Sequence, residues 1–402
     1  MATITARTGS AIPTRAELFA RAEALVPVLA ERAAKCEELR RVPDETLADF
    51  HSTGLFRMLQ PRRFGGSELD YGDIVELGAV TARGCGSSGW VFGNLAVHHW
   101  MLGIWPAEAQ HEIWDEDPDA LIGSAFAFPC GRATKVDGGY RVRGRWPFSS
   151  GIDPSTWVMV GAMVDPPEGQ TAPEARMFLV PMKDYKVIDN WFVAGLRGTG
   201  SKDVQIDDVF VPAHRTLGVH EAKGGPNPGT VLNPNPNFQL PLVATFAYTL
   251  TGVALGIAQG AINTFCEGTR QKVAKYNNLR VAELTTVQLR VAEAAASVDA
   301  GMLLMLRNCS EALRTAAAGE APTIEQRTRY RRDGAFAGRL AAKAVDLIFE
   351  CSGGAGLFDS HPIQRSFRDV HACTSHIALN FDVAGTTYGK VMLGLPCDNP
   401  LI

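Results

Sequence analysis

The parts of this 402-residue chain able to carry chemistry are few: two histidines near the C-terminus, a pair of adjacent serines, and a short run of glycine, arginine and hydroxyl residues. His371 and His376 lie in RSFRDVHACTSHIALN (365–380), with Thr374 and Ser375 beside them and no glutamate in the stretch; a glycine-rich turn, CSGGAGLF (351–358), precedes it. Imidazole has its ordinary pKa nearest neutrality, so it gives or takes a proton at little cost. Histidines also fill surfaces and cores, so the pair needs support from elsewhere in the chain. Ser149 and Ser150 close GRWPFSSG (144–151). Neighbours on a strand point to opposite sides, so one hydroxyl can reach a ligand while the other satisfies a turn. Arg197, Thr199 and Ser201 in GLRGTGS (195–201) combine a guanidinium and two hydroxyls with flexible backbone. Such a run suits a bound ring or phosphate, and equally a tight turn that needs glycine.

The elements that must position these groups change character along the chain. Thr14 and Glu17 form a T-x-x-E capping box, behind which Leu18, Ala22, Leu25, Leu29, Ala33, Cys36 and Leu39 make one apolar helical stripe. A second helix, DETLADFHST, is expected to end at Gly54, and more helix runs from Tyr71 to about Trp114, broken at GCGSSG (84–89). That hexapeptide matches the dinucleotide fingerprint G-x-G-x-x-G, but no β-branched strand leads into it, so a Rossmann site is rejected. From about 121 to 212 the pattern is short strands, with a hairpin turn at Asp137-Gly138. The segment 220–241, rich in Pro, Asn and Gly, reads as a loop that punctuates rather than folds. No charged residue occurs from Pro241 to Cys266; threonines, Gln259, Asn263 and glycines dilute the run, which favours a helix buried in a bundle over a membrane span. Alanine-rich helices follow over about 285–318 and 323–350, and RTRYRRDG (327–334) reads as a solvated helix face.

Composition excludes several classes. The formal charge of -4 gives no reason to expect nucleic acid or an anionic membrane as partner. Eight cysteines without C-x-x-C or other ligand spacing fit reduced thiols and argue against a zinc site or a disulfide framework. The N-terminal MATITARTGSAIPTR lacks the apolar core of a signal peptide, and a cytoplasmic protein is expected.

Helices, then a β-rich stretch, then a helical bundle, with PRRFGG (61–66), GRWPFSSG, GLRGTGS and SGGAGLF leading into RSFRDVHACTSH in that order, resembles the acyl-CoA dehydrogenase superfamily. Within it the chain is similar to the oxygenase components of two-component flavin-dependent monooxygenases, the p-hydroxyphenylacetate hydroxylase type among them. The resemblance covers nearly the whole chain. It implies an α+β, acyl-CoA dehydrogenase-like fold: an N-terminal helical domain over 1–120, a middle β-barrel-like domain over 121–218 and a C-terminal four-helix bundle over 219–402. Dehydrogenases of the superfamily commonly carry a glutamate base nine residues after the arginine of an RSFRD-like segment. Counting from Arg368 gives Ile377, with His376 beside it, which places the chain nearer the monooxygenases, where the matching histidine faces a flavin C4a-peroxide. The resemblance therefore implies His376 and Ser149 as catalytic, the serine bonding the flavin N5, with Ser150 the alternative. Trp146, Ser149, Ser150, Arg197, Thr199, Ser201, Gly353 and Gly354 become flavin-binding candidates, although Trp146 and Trp157 also suit sheet packing. His98 or its neighbour His99, Ser124 and Phe246 become substrate candidates; adjacent helical residues point about 100° apart, so one histidine alone can face a pocket. Phe126, Phe128 and Tyr248 could line that pocket or the core.

The implied activity is hydroxylation of a small aromatic substrate, phenol- or indole-type, with O2 and reduced FMN or FAD delivered by a separate flavin reductase, in a homotetramer without metal. Rival readings are an acyl-CoA dehydrogenase with tightly held FAD, an N- or S-oxygenase of the same fold, and a helical scaffold that has lost its cofactor.

Overall fold

The computed structural model describes residues 11–166, 173–274, 278–397 and 399; MATITARTGS, the start of the segment read as lacking a signal peptide, lies outside them. Helix α1 (Arg15–Leu39) begins at the expected capping box: Thr14 Oγ1 accepts from the Glu17 amide at 3.3 Å and the Glu17 carboxylate accepts from the Thr14 amide at 2.8 Å. Helix α2 (Asp44–Thr53) ends at Gly54 with φ +78°. Helices α3 (Tyr71–Ala82), α4 (Gly86–Leu102) and α5 (Ala107–Trp114) complete the first part. GCGSSG is the α3–α4 corner, with a helix rather than a strand leading into it. Its glycines serve packing: a Cβ on Gly84 would lie 2.4 Å from the Val26 carbonyl oxygen.

Among the described residues eight strands follow: β1 (Ile122–Ala125), β2 (Gly131–Val136), β3 (Gly139–Ser149), β4 (Trp157–Val164), β5 (Glu174–Pro181), β6 (Lys186–Ile188), β7 (Lys202–Pro212) and β8 (Thr216–Gly218). The order is β6-β7-β3-β2-β4-β5-β8, with β1 beside β4. The β2–β3 hairpin turns at Asp137-Gly138, and β1 and β2 both run parallel to β4 along its length. Val142, Trp146, Val158, Val160, Phe178, Val180 and Val204 form the sheet's own apolar interior.

Segment 219–241 folds more than its composition predicts. It forms three short 3-10 turns and straps the first helices through buried amides. Asn237 accepts from the Tyr71 amide at 3.0 Å and donates to the Leu69 carbonyl at 2.9 Å. Asn233 donates to the Gly103 carbonyl at 2.7 Å, and Phe238 is fully buried. Polar side chains here satisfy main-chain groups, a use that a turn-rich composition conceals.

The short α6 (Leu242–Thr245) leads into α7 (Ala247–Thr269), α8 (Thr285–Ala317), α9 (Ile324–Ser352), α10 (Pro362–Thr374) and α11 (Phe381–Met392). Leu242–Thr269 is long and apolar enough to cross a membrane, and it is buried inside the bundle. It is gripped by α3: Cβ atoms on Gly252, Gly256 and Gly260 would lie 2.4, 2.2 and 2.5 Å from the carbonyl oxygens of Val75, Ala79 and Arg83. The four-residue spacing of both sets is one helical turn, so two backbones run in direct contact. The basic run at 327–334 is not a free solvated face. Arg329 pairs with Glu311, Arg332 with Asp333, and Tyr330 and Asp333 are buried.

Candidate active site

Ser149 ends β3 fully buried, and its hydroxyl has no hydrogen-bond partner among the described residues. An unsatisfied buried hydroxyl costs about 1–3 kcal/mol, so a native site that keeps one calls for an explanation such as a missing ligand. Gly123 on β1 packs closely beside it: a Cβ there would sit 3.3 Å from Ser149 Oγ and 2.9 Å from Ile152 Cδ1, so the absence of a side chain lets the strand approach the hydroxyl. Ser150 points the other way, as alternation requires. Its hydroxyl accepts from Trp90 Nε1 at 2.9 Å and lies 2.8 Å from Ser201 Oγ, itself 2.7 Å from Thr199 Oγ1. Thr199 donates to the Leu196 carbonyl at 3.0 Å, so a single direction of donation, from Trp90 through Ser150, Ser201 and Thr199, satisfies the chain.

His376 joins this chain through Trp90, whose indole meets the imidazole edge-on at 5.9 Å between ring centres. The residue follows α10 and opens the 3-10 turn Ile377–Leu379, where Nδ1 accepts from the Ala378 amide at 3.1 Å. Nδ1 is thus the lone-pair nitrogen and Nε2 carries the proton. Desolvation, aided by the nearby positive charge of Arg331, pushes the imidazole pKa down to about 4. The ring is neutral at pH 7 and offers an N–H donor. His371 has a different fate: its Nε2 meets Asp346 at 2.9 Å on a half-exposed surface.

The loop carrying Thr199 and Ser201 is pinned from below by residues that sequence patterns did not reveal. Asp369 of α10 is buried and accepts from the Leu196 amide at 2.6 Å, and Ser87 of α4 accepts from the Gly198 amide at 3.1 Å. Burial raises the Asp369 carboxyl pKa to about 7. Trp90, Gly123, Ser87 and Asp369 were all missed; the tryptophan at the end of GCGSSGW is the one signal that could have drawn attention, since a buried indole N–H needs an acceptor.

The histidine pair on α4 divides as helical geometry demands. His98 donates Nδ1–H to the Ile122 carbonyl at 2.5 Å, which leaves Nε2 a bare, buried acceptor with no partner among the described residues. Its ring lies parallel to Phe246 at 6.4 Å; Phe126 stands edge-on to Phe246 and stacks with Phe128. Ser124, also buried, is two residues along β1 from Ile122. His99 turns away, accepting at Nδ1 from Trp114 Nε1 at 3.3 Å with the rings parallel. The two imidazoles therefore hold opposite tautomers.

Other candidates fall outside this assembly. Trp146 is sealed in the sheet interior with its indole N–H given to the Gly161 carbonyl at 2.7 Å, so it has no free face for a flavin and its role is packing. Arg197 is exposed and donates to the Val193 carbonyl at 2.9 Å rather than joining the hydroxyl chain. Gly353 and Gly354 lie at the surface, where an added Cβ would meet nothing within 4 Å. Tyr248 belongs to the core, its hydroxyl donating to the Tyr330 carbonyl and accepting from Asn308. Trp157 lies under Arg215, its ring centre 5.0 Å from the guanidinium.

Burial of His98 and His99 sets an acid limit on stability. Desolvation pushes their pKa values down to about 4 and about 3, the latter helped by Arg57, His98 and His51. Unfolding frees both to bind protons near pH 6.5, so stability falls as pH drops from there towards 4, by about 2.7 kcal/mol per unit for two protons. Measured by urea denaturation from pH 7 to 4.5, the slope of a His99→Phe variant should be smaller than that of wild type by about 1.4 kcal/mol per unit, the share of one proton; equal slopes in both proteins would contradict the assignment.

Comparison with known proteins gives these features a setting. Residues 248–381 match the family described as acyl-CoA dehydrogenase, C-terminal domain. Over 388 residues the chain is 38% identical to the FADH(2)-dependent resorcinol hydroxylase, oxygenase component, of Rhizobium sp. (strain MTP-10005), covering 94% of each chain. The crystal structure of 3-HSA hydroxylase from Rhodococcus sp. RHA1 superposes with a TM-score of 0.91 at 36% identity, over 96% of this chain and 99% of that one. XiaF from Streptomyces sp., solved with FADH2 and glycerol, gives 0.87 at 29% identity, over 96% and 97%.

Proposed function

Since the chain belongs to the oxygenase components of flavin-dependent monooxygenases within the acyl-CoA dehydrogenase superfamily, we propose that Ser149, Trp90 and His376 form the flavin-facing wall of its active site and His98 the substrate-facing one. The protein is an enzyme that hydroxylates a small aromatic substrate with reduced flavin and O2, the flavin coming from a reductase. The acyl-CoA dehydrogenase alternative is not favoured.

The observation that carries the site assignment is the buried hydroxyl of Ser149, which has no hydrogen-bond partner among the described residues. It is what a residue awaiting the polar edge of a flavin should look like. Reduced flavin, when bound, supplies the electrons that activate O2 for transfer of one oxygen atom to the aromatic ring. The chain's own residues do the rest. Ser149 donates to the ring edge and fixes its position, while the hydroxyl chain from Ser150 to Thr199 locks the neighbouring loop. His376, neutral, donates Nε2–H towards the reacting oxygen. The bare Nε2 of His98 accepts a hydrogen bond from the substrate's hydroxyl, and Phe246 and Phe126 hold the aromatic ring. Ser149, Thr199 and His98 are buried, which keeps water away from a step that water would divert.

Names of relatives that specify FADH2 support FAD over FMN as the partner flavin. A homotetramer is supported by exposed apolar side chains on the bundle, Leu289, Leu303 and Leu393 among them; a cytoplasmic location is supported by eight cysteines that form no disulfide among the described residues.

The test mixes protein and photoreduced FAD anaerobically with oxygenated buffer and resorcinol or a related phenol. Near-ultraviolet absorbance and product chromatography follow the reaction. Flavin reoxidation delayed relative to free FADH2, with hydroxylated product, is expected. Immediate reoxidation without product would refute the reading. In Ser149→Ala, loss of one hydrogen bond of about 1 kcal/mol should raise the hydrogen peroxide leak roughly fivefold, while the flavin-free protein melts no lower than wild type because the unsatisfied hydroxyl is gone. Wild-type coupling in that variant would remove Ser149 from the site.

A further inference from the structure

Phe148 stands in a backbone conformation that its side chain disfavours. Its φ is +66°, in the left-handed region where a Cβ crowds the following carbonyl oxygen. Strand pairing shows why the strain is there. Trp146 of β3 faces Val204 of β7 and Ser149 faces Lys202, so three steps on one strand match two on the other. One extra residue in a ladder is a bulge.

The bulge inverts the side-chain alternation just before the active-site serine. Tyr140, Val142 and Trp146 point into the sheet's interior. An unbroken strand would continue that parity, turning residue 148 inward and residue 149 outward. Instead Phe148 is 65% exposed and Ser149 is fully buried. Glycine would hold such a φ without steric penalty. Phenylalanine needs a compensating contact, and it has one: the ring of Trp191 meets it edge-on, 6.3 Å away at 86°.

We infer that Phe148 is a positioning residue for the Ser149 hydroxyl, its contact with Trp191 holding the left-handed bulge that aims Ser149 at the flavin. This rests on the reading of Ser149 as a flavin contact. Residues at strained φ are informative because only surrounding structure keeps them there.

The test compares Phe148→Ala, Phe148→Gly, Phe148→Tyr and Ser149→Ala, alone and with Phe148→Ala. Flavin affinity by fluorescence titration, hydrogen peroxide yield and melting temperature are the readouts. Alanine keeps the left-handed penalty and loses the ring, so flavin affinity should fall roughly tenfold, the usual scale of that penalty. Glycine should recover most of the loss because it holds the turn unaided, and tyrosine should match wild type. In the Ser149→Ala background, Phe148→Ala should add no further loss. Equal losses in the alanine and glycine variants would overturn the inference by assigning the ring itself to ligand contact; wild-type behaviour in both would overturn it outright. If Ser149→Ala alone binds and couples as wild type, the reading of Ser149 fails first and takes the inference with it.

Discussion

Replacing His376 by alanine is expected to lower coupled hydroxylation by roughly 10²-fold or more, the usual range for a positioned proton-transfer group, while flavin oxidation continues and releases hydrogen peroxide. The reason lies in the tautomer. Nδ1 is occupied by the Ala378 amide, so the ring presents Nε2–H and nothing else. A pKa near 4 keeps the ring neutral across the working range, so coupling should show no titration of this group above about pH 5. Glutamine at 376 places an N–H close to Nε2 and should restore part of the lost coupling, whereas asparagine, matching Nδ1, should restore less. Product yield per FADH2 consumed is the measurement. If alanine and glutamine were equally impaired with unchanged melting temperature, direct donation from Nε2 would be the wrong account. His371, in hydrogen-bond contact with Asp346 on a half-exposed surface, serves as the control.

Valine at Gly256 is expected to produce the largest loss of stability. Its Cβ would fall 2.2 Å from the Ala79 carbonyl oxygen, and the obstruction is backbone, which cannot rotate aside. Overpacked cores typically lose about 1–3 kcal/mol, and a clash between two helical backbones belongs at or above the top of that range. The same helix contains its own control. Gly268 is exposed, with nothing within 4 Å of an added Cβ, so Gly268→Ala should gain up to about 1 kcal/mol from helix propensity. Chemical denaturation of the two variants should move in opposite directions. A Gly256→Val protein as stable as wild type would mean that α3 and α7 do not meet as closely as described.

What the sequence displays and what it conceals divide along chain distance. The capping box at Thr14 and Glu17, the cap at Gly54, the turn at Asp137-Gly138 and the bounds of α8 and α9 all follow from residues within one or two turns of each other, and the structure reproduces them. The family, and with it the fold, was legible from motif order. The site is another matter. Trp90 bridges Ser150 and His376 across gaps of 60 and 286 positions, and Asp369 supports Leu196 across 173. Periodicity carries no trace of such pairs. Trp146, a flavin candidate only through its place in GRWPFSSG, packs inside the sheet with its N–H already given to the Gly161 carbonyl. The 220–241 segment was misread for a related reason: its asparagines bind main chain more than a hundred residues away.

The close contact between α3 and α7 also bears on how the chain can be made. Residues 71–82 emerge early from a ribosome, yet the carbonyl ridge they present is completed only by residues 252–260, with the entire β-sheet encoded between. The sheet has its own interior and can close as soon as residue 218 is available. The first helices cannot, and must wait with apolar faces uncovered for about 170 further residues, on the order of 10–30 s at ordinary translation rates. Synthesis therefore passes through a stage in which the middle of the protein is finished and its beginning is not, and a holding chaperone has its natural point of action there.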